Sequence, residues 1–336
     1  MPGFEPKVFA LSGAGALGQS VADALGFVLS RHEEREFEDG EHKARPLESV
    51  RGCDVYVLQR LAGVGGQPVS ERLLRLLFFI GALRDAGAAR VSAVVPYLAY
   101  ARKDRRTKPR DPVTTRYVGQ LFEAAGADRL VVMDVHNPAA FENSFRGEAV
   151  HVEARPLFVQ ALLAALGGQV PAIVSPDAGG YKRAERLRES VETATGERPP
   201  MVFLEKKRSS GVVSGDAVVG DVEGRTAVIV DDLIASGGTL VRAARACRGR
   251  GSPQVIACAS HGPMVAAAAD TLADPALDGL WVTNSVLDDA GSPHLPADRA
   301  RVLDCGALIA EAIRRLNTDG SIVDLVERGP VPSVTV

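Results

Sequence analysis

Cysteine is scarce in this 336-residue chain: there are four, at positions 53, 247, 258 and 305, and no two form a Cys-x-x-Cys pair. That scarcity argues against a disulfide framework and against a cysteine-based zinc site, and it fits a reducing compartment, the cytoplasm. Long apolar runs are lacking too. The longest, 73–83, is interrupted by Arg75 and falls well short of the ~20 residues a spanning helix requires. It reads as a buried helix, and no membrane association is expected. The N-terminus, MPGFEPKVFALSGAG, has acid and proline ahead of its short apolar stretch, which is not the basic-then-apolar order of an export signal. Nor is there an excess of charge of either sign. Lys and Arg number 39 against 42 Asp and Glu, a net charge of -3, which argues against an overall polyanion-binding surface and against nucleic acid as a partner. Any phosphate chemistry must be local.

What is present is an ordinary globular balance, 46% hydrophobic and 24% charged, in a length that suggests two domains at ~150 residues each. Short aliphatic runs of strand length recur at 8–11, 55–58, 91–95, 130–133, 172–174, 227–230, 255–259 and 280–282. Between them lie segments of helical spacing at 70–86, 114–125, 156–166 and 239–248. Alternation of this kind predicts an α/β fold with mainly parallel sheets. Acidic residues stand where the strands at 130–136 and 228–234 run out, which hints at two related halves joined near 147–152.

The strongest chemical signal is VIVDDLIASGGTLVRAA, residues 228–244: a buried strand, two carboxylates at its end, a Ser-Gly-Gly-Thr turn and a helix. Gly237 and Gly238 let the backbone curl so that successive N–H groups point inward, and the positive end of the helix adds to them, a geometry that binds phosphate. The hydroxyls of Ser236 and Thr239 suit the same anion, while Asp231 and Asp232 suit sugar hydroxyls or a hydrated metal. A phosphorylated sugar satisfies all four. The plain alternative is a strand-to-helix turn with aspartates as caps.

This motif resembles the phosphoribosyl-pyrophosphate loop of type I phosphoribosyltransferases and of ribose-phosphate pyrophosphokinases. Other segments decide between the two: YARKDRR (100–106), AGADRLVVMDVH (125–136), VSPDAGGYKRA (174–184), GDVEGRTAVIVDDLIASGGT (220–239) and ACASHG (257–262) look like the pyrophosphokinase, in its order and at nearly its spacing. FEDGE (37–41) and ESVRG (48–52) carry the resemblance into the first half, so it covers almost the whole chain. It implies two tandem type I phosphoribosyltransferase-like domains, 1–149 on the ATP side and 150–305 holding ribose 5-phosphate, with a helix and tail at 306–336 that packs back on the first domain. The implied reaction moves the β,γ-diphosphoryl group of ATP onto O1 of ribose 5-phosphate, with Mg2+ as cofactor.

The resemblance assigns roles residue by residue. Arg102 and Lys103, in the basic run 101–110, touch ATP phosphates; read alone, that run is a solvated loop. His136 of MDVH and Asp177 of SPDAGG hold metal, His136 through the Mg2+ carried on ATP; alone, the first reads as a structural histidine and the second as a helix cap. Lys206 and Arg208, in a polar, glycine-bearing stretch that reads as a mobile lid, match a Lys-x-Arg pair that stabilises the transferring group. Phe37, Asp39 and Glu41 belong to a hairpin that reaches the ATP site of a neighbouring subunit, which implies a dimer-based homo-oligomer with a hexamer as one candidate size. Two other readings stand beside an active enzyme: a catalytically silent regulatory homologue, and a phosphoribosyltransferase that consumes phosphoribosyl pyrophosphate.

Three departures mark the chain. Its phosphate loop reads ASGGT where the bacterial type has a DTAGT-like turn, Lys103 stands where the family commonly has Gln, and GQPVSERL (66–73) replaces an NDNLMEL-like segment. One competing motif, SGAGALG (12–18), places Gly13, Gly15 and Gly18 at the spacing of a dinucleotide-binding turn, but no strand ending in an acid follows at ~20 residues.

Overall fold

The computed structural model describes residues 4–63, 66–209, 212–263, 265–287 and 294–329, without the side chains of 205–209, 212–217, 263 and 328. The chain forms β1 (Pro6–Ala10), α1 (Gly15–Leu25), β2 (His32–Glu36), β3 (His42–Pro46), β4 (Asp54–Leu58), α2 (Val69–Asp85), β5 (Arg90–Val94), α3 (Thr114–Ala125), β6 (Arg129–Met133), α4 (Pro138–Glu142) and β7 (Glu148–Val152). It continues through α5 (Arg155–Leu166), β8 (Ala172–Ser175), α6 (Tyr181–Thr195), β9 (Met201–Ser209), β10 (Val212–Val219) and β11 (Ala227–Ile234). The last elements are α7 (Gly238–Gly249), β12 (Val255–Pro263), α8 (Ala268–Leu272), β13 (Gly279–Thr283), β14 (Ala300–Leu303), α9 (Gly306–Asn317) and α10 (Ile322–Arg328). There are two compact units, Met1–Glu153 with Ser285–Gly291 and Asp304–Val336, and Ala154–Asn284 with Ser292–Leu303.

The first unit is built on a parallel five-stranded sheet of order β1-β4-β5-β6-β7. Strands β4 and β6 are buried at every position, as expected where helices cover both faces of a parallel sheet. Phe9, Val55, Val57, Phe79, Ile80, Phe122 and Leu130 share its core. Because β7 pairs with β6, this unit runs to Glu153, beyond the join expected at 149. Helix α9 belongs to it and lies on α1: Ser20 Oγ donates to Asp304, and a Cβ on Gly306 would stand 2.0 Å from Ser20 Oγ. At the other end of α9, Asn317 Nδ2 donates to Asp54 Oδ2 at 3.1 Å.

Helix α2 is less buried than its apolar run predicts, with Leu74 43% and Phe78 55% exposed. A polar hairpin, β2–β3, lies against it. Arg75 bridges Glu36 of β2 and Glu71 of its own helix at 2.5 and 2.6 Å, and the His42 ring stacks on Phe78 with centroids 5.5 Å apart. The glycine turn at 12–18 has a packing role. A Cβ on Gly18 would fall 2.3 Å from that of Ala10, Gly13 (φ 84) borders the Arg72 guanidinium, and the Gly13 carbonyl accepts from Arg60 Nη1 at 2.9 Å.

The second unit holds a seven-stranded sheet of order β10-β9-β8-β11-β12-β13-β14, parallel except for the β9–β10 pair. The chain leaves β8 toward β9 on one side and returns to β11 on the other. The order of winding therefore reverses between β8 and β11, and the carboxyl ends of those two strands flank the crevice where open α/β sheets take ligands. Among the described residues no helix is long and apolar enough to cross a membrane.

Candidate active site

The two strands at that crevice carry the acidic and glycine motifs. Strand β11 does not stop at Val230, as its apolar run predicts. Leu233 and Ile234 are buried and pair with β12, so the strand runs through Asp231 and Asp232 to Ile234. Both aspartates are thus fixed by the ladder rather than carried on a loop. Asp232 is 4% exposed and Asp231 half-buried.

The turn then bends on Gly237, whose φ of 80 is left-handed. A side chain there would also stand 2.8 Å from Leu272 Cδ2, so both backbone and packing require glycine. Helix α7 starts at Gly238 with no side-chain cap. The Val241 amide is the first to bond back, to the Gly237 carbonyl at 3.1 Å, which leaves the preceding amides of the helix start for an anion. Ser236 is exposed and Thr239 half-buried at this mouth. Gly238 also borders an open groove of about 750 Å3 between α7 and α8, with Arg242, Arg245, Asp270 and Asp274.

Asp177 follows β8. Its Oδ1 accepts from the Gly179 and Gly180 amides at 2.9 and 3.0 Å, which shapes the entry to α6. From the opening turn of α6, Arg183 reaches Asp231 Oδ1 at 3.3 Å and Asp232 Oδ1 at 3.6 Å. Burial and the adjacent Asp232 carboxylate push the Asp231 carboxyl up, to about 7, and Arg183 pulls it the other way. Sequence patterning did not single out Arg183. It lies six positions after Asp177 on the same motif, but its partners are some fifty residues downstream and only the β8–β11 pairing brings them together.

In the first unit, Arg102, Lys103 and the rest of the basic run sit between β5 and α3. The hydroxyl of Thr115 donates to the carbonyls of Ala101 and Lys103 at 3.1 and 3.2 Å, and that of Thr114 to Tyr100 at 2.8 Å. Asn137 Nδ2 donates to Asp104 Oδ2 at 2.5 Å, tying this loop to the end of β6, where Asp134 has a left-handed φ of 42 and His136 is exposed. Phe37, Asp39 and Glu41 lie exposed at the tip of the β2–β3 hairpin, with the Arg35 guanidinium 5.1 Å from the Phe37 ring centroid and Asp39 Oδ1 accepting from the Glu41 amide at 3.1 Å.

Lys206 and Arg208 lie in β9, and their side chains fall outside the described residues. Their backbone is not the irregular loop expected. Lys206 pairs with Asp216 and Arg208 with Val213 in an edge hairpin whose register shifts between Val213 and Asp216.

A phosphate-shaped turn at the reversal point of one mainly parallel sheet, in a chain carrying a second α/β unit, defines a phosphoribosyltransferase-like α/β protein. Residues 6–126 match the family described as the N-terminal domain of ribose phosphate pyrophosphokinase, and residues 181–327 match the phosphoribosyl synthetase-associated domain. The ribose-phosphate pyrophosphokinase of Staphylococcus saprophyticus is 36% identical over 314 residues, 92% of this chain and 93% of that protein. That of Staphylococcus aureus is 35% identical over 317 residues, with the same coverage. The crystal structure of phosphoribosylpyrophosphate synthetase from Mycobacterium smegmatis superposes with a TM-score of 0.81 at 32% identity, covering 94% of this chain and 100% of that one. The chain belongs to the ribose-phosphate pyrophosphokinase family.

Proposed function

We propose that the protein transfers the β,γ-diphosphoryl group of ATP to O1 of ribose 5-phosphate, giving 5-phosphoribosyl 1-pyrophosphate and AMP. One observation carries this reading: the two strand-borne aspartates and the left-handed Gly237 turn stand together at the β8–β11 reversal. The α7 amides with Ser236 and Thr239 grip the 5-phosphate, and Asp231 and Asp232 accept from ribose hydroxyls. Arg183 keeps that carboxylate pair in place before sugar arrives.

The sugar O1 bonds to the β-phosphorus while the bond from that phosphorus to the α–β bridging oxygen breaks. AMP leaves with the bridging oxygen, and the O1 proton is lost. Charge builds on the transferring group, so positioning and cations carry the catalysis. Arg102 meets the ATP phosphates, Lys206 and Arg208 the transferring group, and Phe37, Asp39 and Glu41 the nucleoside. The hairpin tip serves the site of a second copy, so the working form is a dimer-based homo-oligomer, in the cytoplasm.

Mg2+ suits the donor set. Asp177 commits only one carboxylate oxygen to the chain's own amides, and the other suits an ion that takes few protein oxygens together with phosphate and water. Asp177 would hold an ion near the ribose and His136 the ion carried on ATP, and a bound ion would neutralise phosphate charge.

The test is to incubate purified protein with ATP and Mg2+ and to follow AMP with and without ribose 5-phosphate. AMP formed only with the sugar supports the reading. No AMP, as expected of a regulatory homologue or a phosphoribosyltransferase, contradicts it.

A further inference from the structure

The basic loop between β5 and α3 contains a knot centred on Asp111. One carboxylate oxygen, Oδ2, accepts from Lys103 Nζ at 2.5 Å, Thr107 Oγ1 at 2.8 Å, the Lys108 amide at 3.0 Å and the Thr107 amide at 3.1 Å. Lys103 Nζ also reaches Thr107 Oγ1 at 2.9 Å. The Asp111 amide and carbonyl take part as well, through the Lys108 carbonyl at 3.2 Å and Arg106 Nε at 3.3 Å. To close this ring the chain adopts a left-handed φ of 68 at Arg110, a conformation that L residues with side chains disfavour. The Lys103 ammonium, followed by the Thr107 hydroxyl and the Lys108 amide, holds the Asp111 carboxyl well below the usual carboxylate range.

Lys103 is therefore engaged by its own loop. Arg102, Arg105, Lys108 and Arg110, by contrast, make no side-chain hydrogen bond or ion pair among the described residues. The family resemblance leads to Gln at position 103, and a lysine there brings an extra charge toward the nucleotide. Asp111 neutralises that charge on the spot. The start of the loop is already clamped by Thr114, Thr115 and Asn137, so without the Asp111 carboxylate the stretch from Arg105 to Arg110 keeps only two side-chain ties, Arg106 Nε to the carbonyl of residue 111 and Lys103 Nζ to Thr107 Oγ1. Four cations left on a segment that has lost its four-fold carboxylate anchor repel one another and lose the shared conformation in which they meet one anion.

We propose that Asp111 is a positioning residue: by capturing Lys103 and the Thr107–Lys108 backbone it fixes the basic loop in the conformation that presents Arg102 and the remaining cations to ATP, and Lys103 itself makes no contact with the nucleotide. This rests on the reading of the loop as the triphosphate site.

A double-mutant cycle with Lys103→Ala and Asp111→Ala tests it, reading the binding of α,β-methylene-ATP with Mg2+ by calorimetry. Each single substitution is expected to weaken binding about tenfold, the scale of one charge-assisted hydrogen bond. The double variant is expected to bind no more weakly than Asp111→Ala alone. Lys103→Arg restores most of the affinity, and ribose 5-phosphate binding stays at the wild-type value throughout. Losses that multiply in the double variant, or an Asp111→Ala protein that binds like wild type, overturn the proposal. A wild-type protein that binds no analogue overturns the triphosphate reading itself. Trypsin cleavage of the ligand-free chain within 101–113 separates the two failures, because it needs no nucleotide. Asp111→Ala is expected to be cut at least about tenfold faster there, on the same scale, and equal rates overturn the knot.

Discussion

Gly237 offers a test in which neighbouring positions of one turn behave differently. Alanine at 237 must hold a φ of 80, which costs roughly 1–2 kcal/mol for a residue with a Cβ. Its methyl group would also stand 2.8 Å from Leu272 Cδ2 and 2.9 Å from Leu272 Cγ, an overpacking that costs roughly 1–3 kcal/mol. Leu272 can yield at its free end, so the sum is about 2–4 kcal/mol, a fall in Tm of roughly 4–16 °C at 2–4 °C per kcal/mol. Gly238 is the control. It has no left-handed φ, and a Cβ there meets nothing nearer than Ser236 Oγ at 4.0 Å, so Gly238→Ala is expected to melt within about 2 °C of wild type. Thermal melts read the stability, and titration with ribose 5-phosphate reads the loop. Gly237→Ala is expected to lose at least about tenfold in affinity, because turning one amide away removes a charge-assisted hydrogen bond. Equal melting of the two variants, or unchanged sugar affinity in Gly237→Ala, refutes the reasoning.

Two further outcomes are expected. Asp231 is held up to about 7 by burial and Asp232 against 3.8 in an unfolded chain, so the folded protein keeps a proton that the unfolded one has lost. Stability of the ligand-free protein that comes from this group is complete below pH 4 and declines as pH rises toward 7. Asp231→Asn flattens that decline and Arg183→Met extends it to higher pH, as read by urea denaturation between pH 4.5 and 7.5; slopes that match wild type contradict the assignment. In the first unit, the fully buried Asp54 accepts from Arg90 at 2.5 Å, Tyr56 at 2.8 Å and Asn317 at 3.1 Å. Asp54→Ala strands that arginine and is expected to cost about 3–5 kcal/mol in denaturant melts, whereas a loss below about 1 kcal/mol means that the network contributes little.

Aliphatic patterning located the central parallel strands, and the segment at 114–125 coincides with α3 because Gly126, with φ 96, ends it where the periodicity ends. Hairpin β2–β3 escaped it for a physical reason. HEERE and HKARP have no apolar alternation, and ties to α2 through Arg75 and His42 hold them instead. The phosphate turn was legible because its glycines and hydroxyls are contiguous. The extension of β11 through two aspartates was not, since the pairing of Leu233 and Ile234 with β12 decides it. Arg183 and Asp111 stayed hidden for a related reason. Their importance lies in which carboxylate or ammonium they meet, and residue type along the chain does not encode that. Lys103 shows the converse, a cation assigned to ATP by position yet held by a neighbour eight residues on.

The most direct measurement of the central claim is the fate of label from γ-32P-ATP supplied with ribose 5-phosphate and Mg2+. The account requires the label to appear in a sugar diphosphate, with AMP formed in equal amount and no ADP. Label recovered as inorganic phosphate, or in a product formed without the sugar, contradicts it.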